Sequence, residues 1–291
     1  MRDDGYWGIE KKPTIVMAAP SHSLPPSTTL KMMYEICSQT DAGLVRINNE
    51  DAVAFDPHTG LCLLADGMGG YNAGEIASGM AVAFINSELG RWLAREQQAT
   101  AKEVCRAMEV CMENANHSIF NAARSNHDYE GMGTTVVVGV FQQGRLLLGH
   151  VGDSRCYRLR GQAFQQITKD HSLLQEQIDA GLMTPEQALK SPDKNLITRA
   201  LGVEDAVRVE INEHRTEMGD VYLMCSDGLS DMLGSADMAA ILGAPGTLPH
   251  KALQLIATAN QNGGRDNISV VLVQVTQEAA RRGLLSRMRG K

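Results

Sequence analysis

No apolar run in the sequence approaches the roughly 20 residues that a membrane-crossing helix needs, and none of its six cysteines forms a CxxC pair. A transmembrane span is therefore not expected. The opening MRDDGYWGIEKK lacks the basic stretch and apolar core of a signal peptide. Cysteines 37, 62, 105, 111, 156 and 225 are scattered, and most sit inside apolar runs, where a reduced cysteine acts as a small hydrophobe. That usage excludes a disulfide framework or zinc site and points to a reducing, cytoplasmic setting. Basic charge is also short: 27 Lys and Arg stand against 34 Asp and Glu, for a net charge of -7. A general nucleic-acid binder needs a basic surface to meet phosphates, so nucleic acid is not an expected partner. No internal repeat and no long heptad pattern appear, so a monomer is expected. Neither GxGxxG nor GK[ST] occurs, which removes the dinucleotide and P-loop readings, and no EF-hand loop is present.

What is there suits a globular protein with a sizeable core: 291 residues, 43% hydrophobic and 21% charged. Residues 1–29 carry Pro13, Pro20, Pro25 and Pro26 among serines without periodicity, and read as a flexible extension. An ordered body is expected over 30–277, followed by a basic tail, 278–291. Strand-like runs occur at 32–37, 51–55 and 61–65. Helical spacing follows over 73–94 and 101–123, with Met and aromatic stripes that read as core faces. A meander comes next, TTVVVGVF, RLLLGHV, RCYRLR and AFQQIT, with turns expected at Gln143-Gly144 and Arg160-Gly161. Polar residues 171–200 read as an insertion lying over a surface. Strands are expected again at 207–211, 220–225 and 268–275, with a helix at 249–261. Strands in blocks and helices in pairs argue for an α+β fold, not alternating βαβ units.

Four segments set an acid at the edge of a strand-like run: Asp66 after LCLLA, Asp227 after VYLMCS, Asp153 after LLLGHVG and Asp266 before ISVVLVQV. A fifth, RINNEDAVAF, sets Glu50 and Asp51 just before a strand. One Asp-Gly alone reads as a turn. Five such segments can meet at one edge, because in antiparallel sheets the end of one strand lies beside the start of its neighbour. Gathered carboxylates raise each other's pKa unless a cation neutralises them. The donors are all oxygens, which suits Mg²⁺ or Mn²⁺. Gly67 lets the backbone approach such an ion so that its own carbonyl can serve as a ligand, and Gly69 and Gly70 leave room for a substrate.

The motifs R46INNED51, D66GMGG70, G133TT135, G152DSR155, T168KDHS172, C225SDG228 and G263GRDN267 occur in that order. Over about residues 32–276 the sequence closely resembles the metal-dependent protein phosphatase 2C (PPM) family in its compact bacterial form. The resemblance implies a central antiparallel β-sandwich flanked by pairs of antiparallel helices, in four layers, with two Mn²⁺ or Mg²⁺ ions at one end. It implies a serine/threonine protein phosphatase in which a metal-bridged hydroxide hydrolyses phosphoserine and phosphothreonine. By motif position Asp66 bridges both ions and Asp227 and Asp266 complete one site. The Gly67 carbonyl serves the other, and Glu50 and Asp51 act through waters. Asp153, with Asp227, holds a third ion in bacterial members. Arg46 matches the arginine that grips the phosphate, residues 171–200 match a variable flap, and phosphoproteins, including a bacterial Ser/Thr kinase and its targets, are the implied partners.

Chemistry agrees: a planar guanidinium suits bidentate phosphate contact, although a surface ion pair with Glu50 is the plain alternative for Arg46. Many eukaryotic relatives carry a histidine after the Asp-Gly, proposed as general acid. Met68 stands there and a thioether donates no proton, leaving a metal-bound water, His150 or His171 as candidates. Two rival readings are a non-catalytic phosphoprotein-binding module of the same fold and a different two-metal hydrolase such as a nuclease. The intact acids speak against the first. The negative charge and the lack of a basic, aromatic-lined groove speak against the second.

Overall fold

The computed structural model describes residues 32–70, 73–188, 191 and 196–277. The expected N-terminal extension and basic C-terminal tail lie outside the described residues, as does part of the 171–200 segment. The rest forms two antiparallel sheets packed face to face. One contains β1 (Met32–Asp41), β11 (Ile268–Gln277), β10 (Val221–Cys225), β7 (Arg155–Arg160) and β8 (Ala163–Gln166), in that order. The other runs β2 (Asp51–Asp56), β3 (Leu61–Met68), β5 (Val136–Gln142), β6 (Arg145–Val151), β9 (Glu210–Arg215), with the short β4 (Gly133–Thr134) pairing the end of β3.

Alternation along the strands builds three cores. In β3, Leu61, Leu63 and Ala65 face helices α1 (Ala73–Arg95) and α2 (Ala101–Ser125), where Ile85, Met108 and Ile119 are fully buried. Cys62 and Leu64 face the other way, into the sandwich, and meet Cys156, Tyr222 and Met224 of the facing sheet. That sheet turns its outer face to α5 (Asp227–Ser230), α6 (Ser235–Gly243) and α7 (Leu248–Gln261), with Leu223 and Leu272 of the sheet clustering with Leu255 of α7. The four layers expected from the motifs are therefore present.

Local signals account for the joints. Thr100 and Glu103 form a reciprocal capping box that starts α2. Gln143 and Gly144 both take positive φ, 50° and 74°, in the β5–β6 hairpin turn. One expectation needs correction. The strand expected at 207–211 begins at Glu210 and runs to Arg215, because Val207 and Val209 pack against the helix-side core ahead of the ladder with β6. Helix α6 was not anticipated; its GSADMAAILG sequence is too short to display a period. The 171–200 segment carries α3 (Leu173–Asp179) and α4 (Pro185–Ala188), and a bridge between Ser172 and Ile197 ties its two ends. All six cysteines are free, and among the described residues no helix is long and apolar enough to cross a membrane.

Met224 is wholly buried between the sheets, and the absence of a Cβ at Gly139 makes room for its Cε. Met224→Ala should therefore cost about 3 kcal/mol of stability, measured by urea unfolding.

Candidate active site

The strand registers bring the acids to one end of the sandwich. Asp51, first in β2, pairs directly with Asp66 in β3. On the facing sheet Cys225 ends β10 beside Arg155 of β7 and Val270 of β11, so Asp227, Asp153 and Asp266 leave their strands at the same end. A pocket of ≈ 380 Å³ is lined by Arg46, Glu50, Asp66, Gly67, Met68, Gly69, Asp153, Ile197, Asp227 and Asp266. Of the acids singled out in the sequence, only Asp51 stands off this lining. It is buried behind the wall, opposite Asp66. His150 and His171 are buried outside the pocket lining.

Backbone and hydroxyl contacts fix these acids. The Asp66 N–H donates to Thr135 Oγ1 at 3.1 Å, and its carbonyl accepts from Thr135 N–H and Thr134 Oγ1, each at 2.9 Å. Ser226 Oγ donates to Asp51 Oδ2 at 2.8 Å. Asn267 is the junction of the ion-pocket loops. Its Oδ1 accepts from Glu50 N–H at 2.7 Å, and its amide donates to the carbonyls of Ala42 and Asn48. Asn267, Thr135 and Ser226 stand within the sequence motifs, where nothing local assigns them a role. Their partners lie far away in the chain, so only their motif membership signalled them. Arg46 donates to Asp266 at 2.8 Å, not to Glu50, with its side chain 50% exposed at the pocket mouth.

The electrostatics are those of acids forced together. Burial, then the charges of Asp51, Asp227, Asp153 and Asp266, hold the Asp66 carboxyl well above the ordinary range. Burial pushes Asp51 up to about 7 against the hydrogen bond from Ser226. Burial and Asp227 push Asp153 to about 7. Burial and Asp266 push Asp227 to about 6, against a hydrogen bond shared with Asp66. Burial also raises Glu50.

This cluster fits divalent cations on its own evidence. The donors are all oxygens, the hard set that Mn²⁺ and Mg²⁺ prefer. Asp51 Oδ1 is buried with no hydrogen-bond partner, a condition that protein interiors rarely leave unanswered. At Gly67 a Cβ would meet Gly74 O at 2.1 Å and Glu50 O at 2.6 Å, so the backbone lies bare against its neighbours there.

The comparisons with known proteins converge on one family. The sequence profile of the protein phosphatase 2C family matches residues 45–252. The chain belongs to that family. It is 38% identical over 239 residues to the serine/threonine phosphatase stp of Listeria innocua, covering 81% of this chain and 94% of that relative. The solved serine/threonine phosphatase of S. agalactiae superposes with a TM-score of 0.77 at 39% identity, covering 83% of this chain and 99% of the other. The catalytic domain of the serine/threonine protein phosphatase PstP, solved in complex with 2 manganese ions, superposes at 0.74 with 35% identity, covering 84% of this chain and 100% of that one. Sandwich, helix pairs and acid-lined end thus belong to a protein phosphatase 2C.

The sign of the pH dependence follows from the raised carboxyls. In the folded chain they keep protons that the unfolded chain sheds near pH 4, the ordinary Asp value, so with chelator present the cluster weakens folding as pH rises from about 4. The share of Asp227 is lost once pH passes about 6 and the shares of Asp51 and Asp153 once it passes about 7, and Asp66, held well above the ordinary range, contributes with the same sign. Asp66→Asn in EDTA at pH 8 should raise Tm by about 2–4 °C, measured by scanning calorimetry.

Proposed function

We propose that this phosphatase hydrolyses phosphoserine and phosphothreonine in proteins, using two Mn²⁺ or Mg²⁺ ions held by the acid cluster. Asp66, Asp227, Asp266 and the Gly67 carbonyl would hold the two ions, with Asp66 common to both, and Glu50 and Asp51 would support them through waters. Asp153 with Asp227 is assigned to a third. The observation that carries this reading is the pocket in which Asp66, Asp227, Asp266 and Asp153 converge with Arg46 at its mouth.

When bound, such ions supply Lewis-acid polarisation of a phosphoryl oxygen and lower the pKa of water to near neutral. The chain's own residues do the rest. Arg46, half exposed, leaves Asp266 to offer its planar N–H fork to the phosphate, which fixes the phosphorus against the acids and stabilises charge that grows on its oxygens. Thr134, Thr135 and Ser226 hold Asp66 and Asp51 so that little motion is left to reorganise during the reaction. Met68 lines the pocket but has no proton to give.

A protein substrate suits the surroundings. A second cleft of ≈ 370 Å³ shares Met68 and Ile197 with the phosphate pocket and adds Arg199, Val203 and Arg208, giving flanking polypeptide a place to lie. Phosphorylated proteins, among them a bacterial Ser/Thr kinase and its targets, are the partners this reading implies. The segment around 171–200 serves as the flap over them, on the body 30–277. A monomer in the reducing cytoplasm accords with six free cysteines.

The wild-type protein should turn over p-nitrophenyl phosphate and a phosphothreonine peptide only with Mn²⁺ or Mg²⁺, and EDTA should stop it. Asp66→Asn should cost about 1,000-fold in kcat and Arg46→Ala about 100-fold in kcat/KM. Phosphopeptide binding without turnover would favour a non-catalytic module instead.

A further inference from the structure

The motif T168KDHS172 is left unexplained by the chemistry above, and its histidine is buried beside the pocket. His171 holds Gly152 from both sides: its N–H donates to the Gly152 carbonyl at 3.0 Å, and the Gly152 N–H donates to His171 Nδ1 at 3.1 Å. Gly152 sits at φ +104°, and a Cβ there would meet Thr135 at 2.6 Å. The turn thus demands glycine, the residue with the most backbone freedom to lose. The next residue is Asp153, 8% exposed and lining the pocket.

The imidazole is itself held in one tautomer. Nδ1 can accept from Gly152 only if the proton sits on Nε2, which faces Glu210 Oε2 at 3.5 Å. Burial, with His150 and Arg199, lowers the His171 pKa to about 4, which keeps the ring neutral. His150 stacks on it with centroids 4.7 Å apart and planes 11° apart, and donates from Nε2 to the Lys169 carbonyl at 2.8 Å. The β6–β9 register sets His150 directly opposite Glu210. On its other side the His171 carbonyl accepts from Thr198 N–H at 2.9 Å, next to Ile197 of the pocket lining.

His150, His171 and Glu210 offer ligand atoms within 4.8 Å of one another, which raises a metal site as the other reading. Nearly parallel stacked rings cannot both aim in-plane lone pairs at one ion, and His171 spends Nδ1 on Gly152. We propose that His171 is a positioning residue, oriented by Glu210 and His150. It clamps the Gly152–Asp153 turn so that the Asp153 carboxyl is presented to the catalytic pocket, and it couples that turn to Thr198 at the far end of the 171–200 segment. The inference rests on the reading of Asp153 as a member of the working acid cluster.

A double-mutant cycle with p-nitrophenyl phosphate and Mn²⁺ tests it. His171→Gln loses the acceptor at the Nδ1 position, whereas His171→Asn places an amide oxygen there. His171→Gln should lower kcat about 10-fold with KM unchanged, and should speed exchange of the Gly152 amide in NMR of the metal-free protein. His171→Asn should restore most of both. In an Asp153→Ala background His171→Gln should cost nothing more, because the two act through one group. Equal losses in both backgrounds would mark a merely structural role and overturn the proposal, as would full activity of His171→Gln alongside an impaired Asp153→Ala. Full activity of Asp153→Ala would instead remove the Asp153 reading itself, and the clamp with it.

Discussion

Carboxylates that repel one another are held together at the end of this sandwich because two antiparallel sheets finish there. Asp51 and Asp66 face each other across one ladder, a like-charged pairing that a sheet ordinarily avoids. Asp227 and Asp266 arrive from the opposite sheet, and Asp153 from the β6–β7 connection that crosses between the two. Arg155 at the head of β7 relieves only part of that repulsion, at Asp153 and Asp227, and Arg46 alone supplies a cation among the residues lining the pocket. The cluster is therefore a source of instability that divalent ions offset, and the same binding that steadies the fold supplies the chemistry.

The rest of the molecule serves to keep that end rigid. Buried cores on both outer faces and between the sheets fix strand position. Hydrogen bonds with Thr135, Ser226 and Asn267 carry that rigidity to the acids themselves. The His171 contacts extend the pattern to Asp153. Acids set on strand ends, with hydroxyls and one amide locking them, are stiffer than acids on free loops, and electrostatic catalysis depends on such prior ordering.

Much of this was legible from residue pattern. An apolar run ending on Asp66 or Asp227 declares both a strand and its end, and five such segments declare a meeting place. The family motifs supplied the layer order. Less visible were features that depend on distant partners. Ser226 and Asp51 are 175 residues apart, and Arg46 and Asp266 are 220 apart, so no local signal pairs them. The shift of β9 to Glu210–Arg215 has the same origin: Val207 and Val209 look strand-like but are claimed by the helix-side core. Helix α6 escaped because short helices draw their stability from packing more than from periodicity.

Anomalous scattering from a crystal soaked in Mn²⁺ tests the central claim most directly. Two peaks are expected inside the pocket, one of them within coordination distance of both Asp66 and Asp227. Peaks confined to other sites, such as the His150–Glu210 pair, or no peak among these carboxylates at millimolar Mn²⁺, would contradict a cation-held acid cluster.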